Sequence, residues 1–146
     1  MISLELRPGT PIRLGWSRPE LHDLLASLLD FMGTPEADLE LLVTDDAEIA
    51  EYNTRFLGLT GPTNVLSFPG AGPEPGELGS LCLSAEAIAR EAFLYRQPVS
   101  HHLVRLLAHG ILHLQGLPHG PEMDGLTRAA VERFGSEAQP PSSPGV

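Results

Sequence analysis

Lysine is absent from this chain and cysteine nearly so, with Cys82 its sole representative. One thiol cannot close an intrachain disulfide, so the expected compartment is a reducing one, the cytoplasm. No apolar run approaches the roughly 20 residues of a bilayer span, and no basic, apolar leader opens the sequence, so neither a membrane role nor secretion is expected. Positive charge is also scarce. Nine basic residues, all arginine, face 19 acidic ones, for a net charge of −10 at pH 7. A surface of that sign repels polyanions as a whole, so a nucleic-acid substrate would need a local cluster of arginine and metal, or a partner that presents it.

What is present is the material of one core. The 146 residues are 42% apolar and 19% charged, a globular composition, and 15 Gly with 14 Pro imply short elements and many loops. One domain is expected over residues 1–137, with a disordered tail at 138–146, where QPPSSPGV is too polar and proline-rich to fold. Residues 2 to 7 alternate as a half-buried strand until Pro8-Gly9. Leu21, Leu24, Leu25, Leu28, Leu29 and Met32 recur at helical spacing between Ser17 and Gly33. A strand over Leu39 to Thr44 and a helix opened by Asp45-Asp46 and closed by Gly58 follow. Asn64 to Phe68 and Leu78 to Ser84 read as neighbouring strands joined by a Pro/Gly-rich loop. Three further helices are predicted, from Ser84 to about Tyr95, from near Ser100 to about Gln115, and from about Pro121 to Phe134.

The chemistry concentrates in HGILHLQGLPH, residues 109–119. His109 and His113, four apart on a helix, share a face with Cβ atoms about 5–6 Å apart, so both rings can reach one ion. Gly116 stops the helix in a left-handed conformation, and Pro118 stiffens the return that carries His119 toward the other two. Three neutral imidazoles with one position left for water is the pattern of a catalytic zinc site. One Zn2+ per chain is therefore expected, with another divalent transition metal as the variant and a closed structural site as the alternative. Lone histidines such as His22 and His101 read as packed or capping side chains. In zinc peptidases the residue after the first histidine is Glu, the general base; here it is Gly110, which carries no proton, so peptidase chemistry by that route is excluded. Gly110 instead suits a close helix contact or substrate approach.

With PTNVLSFPG (residues 62–70) standing upstream of that motif, the chain resembles the YbeY family of bacterial rRNA maturation factors, which are single-strand-specific endoribonucleases. The resemblance implies an α/β (α+β) fold, a small mixed four-stranded sheet packed with about five helices, and a zincin-like helix bearing the metal histidines. It implies zinc on His109, His113 and His119 and a role in trimming ribosomal RNA and in ribosome quality control. The sequence departs from the family at three places. Leu57 stands where an Arg is usual, with Arg55 two residues earlier and about 200° round a helix from it. Pro118 replaces an Asp and Ser80 another.

The corresponding mechanism is attack by metal-activated water on a phosphodiester of single-stranded RNA. Arg55, Arg90, Arg96 and Arg105 are the candidate phosphate partners, although Arg55 reads more readily as an exposed helix charge. His102, seven residues before His109, is a candidate acid or base, with a surface residue as the plainer reading. Thr63, Asn64 and Ser67 are candidate substrate contacts, with turn and strand-edge roles as the alternative, and Phe56 and Phe68 could hold bases or belong to the core. A second function class stays open: a non-catalytic, zinc-stabilised assembly factor that binds ribosomal protein or RNA, which the acidic surface favours.

Overall fold

The alternation of ISLEL becomes strand β1 (Ile2–Leu6), with Ile2, Leu4 and Leu6 packed against the core and Ser3 and Glu5 turned to water. This is a computed structural model, and it describes residues 1–70 and 76–136. The expected tail at 138–146 and the centre of the Pro/Gly-rich loop, 71–75, lie outside those residues. After β1 comes a short helix, α1 (Thr10–Leu14), that the sequence reading passes over. Pro8-Gly9 breaks the strand as expected, but left-handed Gly9 and Pro11 in the first turn also start a helix, because proline's missing N–H and fixed φ suit that position.

Helix α2 (Arg18–Phe31) is opened by a capping box: the Ser17 hydroxyl accepts from the Glu20 N–H, and the Glu20 carboxylate accepts from the Ser17 N–H. Strand β2 (Asp38–Thr44) leads into α3 (Asp46–Leu57), capped by Asp45 and ended by left-handed Gly58. Strands β3 (Val65–Pro69) and β4 (Glu77–Ser84) follow, then α4 (Ala85–Leu94), whose cap is the Ser84 hydroxyl. Helices α5 (Val99–Leu114) and α6 (Pro121–Phe134) complete the order. No described helix is long and apolar enough to cross a membrane.

The sheet order is β1-β2-β4-β3, with β2 parallel to β1 and to β4 and β3 antiparallel to β4, a mixed sheet as expected. Its main core lies between one face and helices α2 and α5, where Leu21, Leu25, Leu28, Leu81, Leu83, Leu103, Leu107 and Ile111 are fully buried. A smaller cluster of Ile49, Leu66 and Cys82, with Leu42, Tyr52 and Phe68 against it, sits on the other face. Burial there pushes the Cys82 thiol up to about 12, so it is a packing group and not a nucleophile.

Helix α5 meets β4 at Gly110, where an added Cβ would stand 2.7 Å from Leu81 Cδ2. The absent side chain is what lets a His-bearing helix settle on β4, and it answers the open question about Gly110 in favour of a packing contact.

Candidate metal centre

Helix α5 ends in a Schellman turn. Left-handed Gly116 (φ 85°) donates its N–H to the His113 carbonyl at 2.9 Å, and Leu117 donates to the Leu112 carbonyl at 3.0 Å. The turn folds the chain back over the last helical turn, and His119 arrives beside the two helical histidines. The helix end is itself tied down, since the Gln115 amide donates to the Met32 carbonyl at 3.1 Å and to Thr34 Oγ1 at 3.0 Å, both beyond the end of α2.

The ring centroids of His109, His113 and His119 are 4.5, 4.4 and 5.1 Å apart, and one nitrogen from each lies within 4.8 Å of the others. His109 Nε2 and His113 Nε2 face each other at 3.0 Å. Two imidazole nitrogens so placed need a shared proton or a cation between them. For tetrahedral bonds of roughly 2.0–2.1 Å the donor separation would be about 3.3 Å, so small ring adjustments admit an ion. Protonation is disfavoured. Burial, then the neighbouring imidazoles, lower the His109 pKa, with Asp124 opposing in part; burial and then His119 lower that of His113. Both therefore favour the neutral, ligating form. The three histidines can hold a metal ion.

They open onto a cavity of about 600 Å3 whose other walls include Leu57, Asn64, Val65, Ser67, Arg105 and Leu106. Among the described residues that wall contains no carboxylate, in a chain of net charge −10. From this side an anion can approach the metal without meeting a carboxylate, while Asp124 and Glu132 line an adjoining cavity that shares His109 and Arg105.

The other expected site residues divide. Asn64 and Ser67, on β3 or just before it, and Arg105, one turn before His109 on α5, line the cavity. Thr63 is half-buried but is not part of the wall. Arg55 lies outside it, exposed and resting its guanidinium 5.9 Å from the Phe56 ring centroid. Helix α3 runs on through Leu57, so positions 55 and 57 diverge and it is Leu57 that faces the metal side.

His102 is buried, 4% exposed, and its Nε2 stands 2.7 Å from Glu91 Oε1 on α4, away from the cavity wall. Glu91 is the residue that the sequence reading misses. Its signal is legible in retrospect: it falls on the buried stripe of Ala87, Ile88 and Ala92, where an acidic side chain calls for a partner.

The profile of the family described as endoribonuclease YbeY matches residues 16–133 of this chain. An endoribonuclease YbeY from Oleidesulfovibrio alaskensis is 42% identical over 154 aligned positions, covering 90% of this chain and 91% of that protein. One from Nitratidesulfovibrio vulgaris is 40% identical, covering 84% and 90%. A Thermotoga maritima protein solved in solution shares the fold, with TM-score 0.62, 23% identity, and coverage of 100% of this chain and 99% of its own.

Proposed function

The chain belongs to the YbeY endoribonuclease family, and from that premise we propose that it is a zinc-dependent endoribonuclease that cuts single-stranded ribosomal RNA during rRNA maturation, in the cytoplasm. The observation that carries this reading is the convergence of three imidazoles on a cavity free of carboxylates among its described residues. His109, His113 and His119 would hold the ion. When bound, zinc supplies a Lewis acid that activates water and offsets charge on a phosphate oxygen.

The protein's own groups do the rest. Among the described residues of the cavity Arg105 brings the one guanidinium, suited to a phosphate oxygen by charge and by its fork of donors. Asn64 and Ser67 offer neutral hydrogen bonds to phosphate or ribose from the β3 side. Gly110 leaves the position of the peptidase base empty of any titratable group, which agrees with a substrate other than a peptide. Between strand β3 and helix α5 the opening suits a single strand, whose backbone and unpaired bases can both be reached.

The test is zinc-reconstituted protein on single-stranded rRNA fragments, beside His113→Ala. Cleavage by the first and not the second is expected. Equal cleavage by both would expose a contaminating nuclease, and zinc held firmly without cleavage would favour the assembly-factor reading, to which the net charge of −10 and a basic ribosomal-protein partner point.

A further inference from the structure

Behind the metal cavity lies a polar network that joins α4 and α5 to the start of β3. Glu91 Oε1 accepts two hydrogen bonds, one from Asn64 Nδ2 at 3.1 Å and one from His102 Nε2 at 2.7 Å. On its other side the His102 ring presents Nδ1 to Arg105 NH1 at 3.4 Å, and the same NH1 donates to Gln97 Oε1 at 2.6 Å. Tyr95 packs edge-on against the His102 ring, centroids 5.8 Å apart.

Donor and acceptor roles along this chain are fixed by elimination. A guanidinium can only donate, so Nδ1 facing Arg105 accepts, and Nε2 gives its proton to a carboxylate that can only accept. His102 is thereby committed at both nitrogens and buried, which removes it from acid or base work at the metal and makes it a link. Glu91, on α4, does not line the metal cavity, yet through it one residue from each wall is held: Asn64 directly, from the β3 side, and Arg105 by way of His102, from the α5 side.

We propose that Glu91 is a positioning residue for the substrate cleft: its carboxylate holds Asn64 directly and Arg105 through His102, setting the two polar contacts that flank the metal at a fixed separation matched to an RNA backbone. This rests on the endoribonuclease reading. NH1 of Arg105 is spent on the network, and the rest of its donor fork is left for phosphate. Asn64 gives its amide N–H to Glu91, and its carbonyl is left for a donor such as a ribose hydroxyl. The side chains that meet substrate are thus oriented before it arrives, which lowers the entropy lost on binding.

The experiment uses the zinc-loaded full-length chain and a fluorescein-labelled single-stranded oligoribonucleotide. Glu91→Ala is expected to weaken binding about tenfold and to raise KM more than it lowers kcat, with zinc still at about one per chain by elemental analysis. Asn64→Ala should do the same, and the double variant should bind no worse than the weaker single one, because loss of Glu91 already frees Asn64. Glu91→Gln keeps an acceptor oxygen of the same shape; it is expected to recover most of the binding and carries the test if the alanine variant does not fold.

A readout without RNA comes from NMR of the ring: the His102 Nε2–H proton, bonded to Glu91 in the wild type, should shift upfield and exchange faster with water in Glu91→Ala. RNA bound at wild-type strength by Glu91→Ala, losses that multiply in the double variant, or a His102 ring indifferent to Glu91 would each overturn the proposal. A wild-type chain that holds zinc yet neither binds nor cuts the oligonucleotide would sink the endoribonuclease reading itself, and the proposal with it.

Discussion

Replacing Gly110 by alanine sets two known effects against each other at one atom. Inside a helix the change alone favours folding by about 1 kcal/mol. Against it stands Leu81, 1% exposed, whose Cδ2, Cδ1 and Cγ would lie 2.7, 3.3 and 3.6 Å from the new methyl. A side chain so enclosed cannot swing clear, and overpacking of this kind costs about 1–3 kcal/mol. The net expectation for Gly110→Ala is a loss of about 1 kcal/mol, read as a lower urea midpoint at unchanged m-value. The informative comparison is the Leu81→Ala background, where the clash is gone and a cavity waits to be partly filled. There the same substitution should stabilise by about 1 kcal/mol, a coupling of about 2 kcal/mol between the two sites. An effect of the same sign and size in both backgrounds would refute the claim that the glycine exists to seat α5 on β4.

The remaining predictions concern the site and its supports. His113→Ala should reduce the metal content of dialysed protein from about one ion per chain to a small fraction, measured by elemental analysis. Gly116→Ala meets no neighbouring atom but keeps φ near 85°, so it should cost about 1–2 kcal/mol in denaturation and weaken zinc affinity, because the turn carries His119. Leu57→Arg, which adds a cation at a residue that lines the cavity, should tighten oligoribonucleotide binding and steepen its salt dependence. On the far face of the sheet, Glu48 accepts from Arg7 Nε at 2.9 Å and NH2 at 3.0 Å, and these bonds, with that from Thr44, lower its pKa to about 2. A depressed carboxylate stabilises above its ordinary pKa, near 4.5, and the gain is lost as pH falls toward 2. With Arg7 38% and Glu48 26% exposed, solvent screens the pair, so Glu48→Gln should be modestly less stable than wild type at pH 7 and differ little from it at pH 2.5 in denaturant titrations.

Where an element announces itself by period and punctuation, the sequence suffices. Ser17, Asp45 and Ser84 cap the helices that they were read as opening, and Gly58 and Gly116 end theirs in the left-handed conformation. Local rules carry that far because each concerns neighbours along the chain. Helix α1 escaped because one Pro-Gly pair did two jobs, ending a strand and seeding a turn of helix. The three histidines are legible for the same local reason, all lying within eleven residues of one another. Glu91 is not, since its partners Asn64 and His102 lie 27 and 11 residues away on other elements, and no spacing rule links them. The place of Arg55 turned on where α3 ends, and helix boundaries are what pattern reading locates least well.

The Schellman turn leaves the three donors unequal. Two ride on a helix pressed against the sheet, while the third hangs from an exposed strap only three residues beyond the turn. Such a clasp opens from one side. A chelator would reach the ion by loosening His119 first, and the lifetime of the bound ion would be governed by the stiffness of Leu117 and Pro118 more than by the helix.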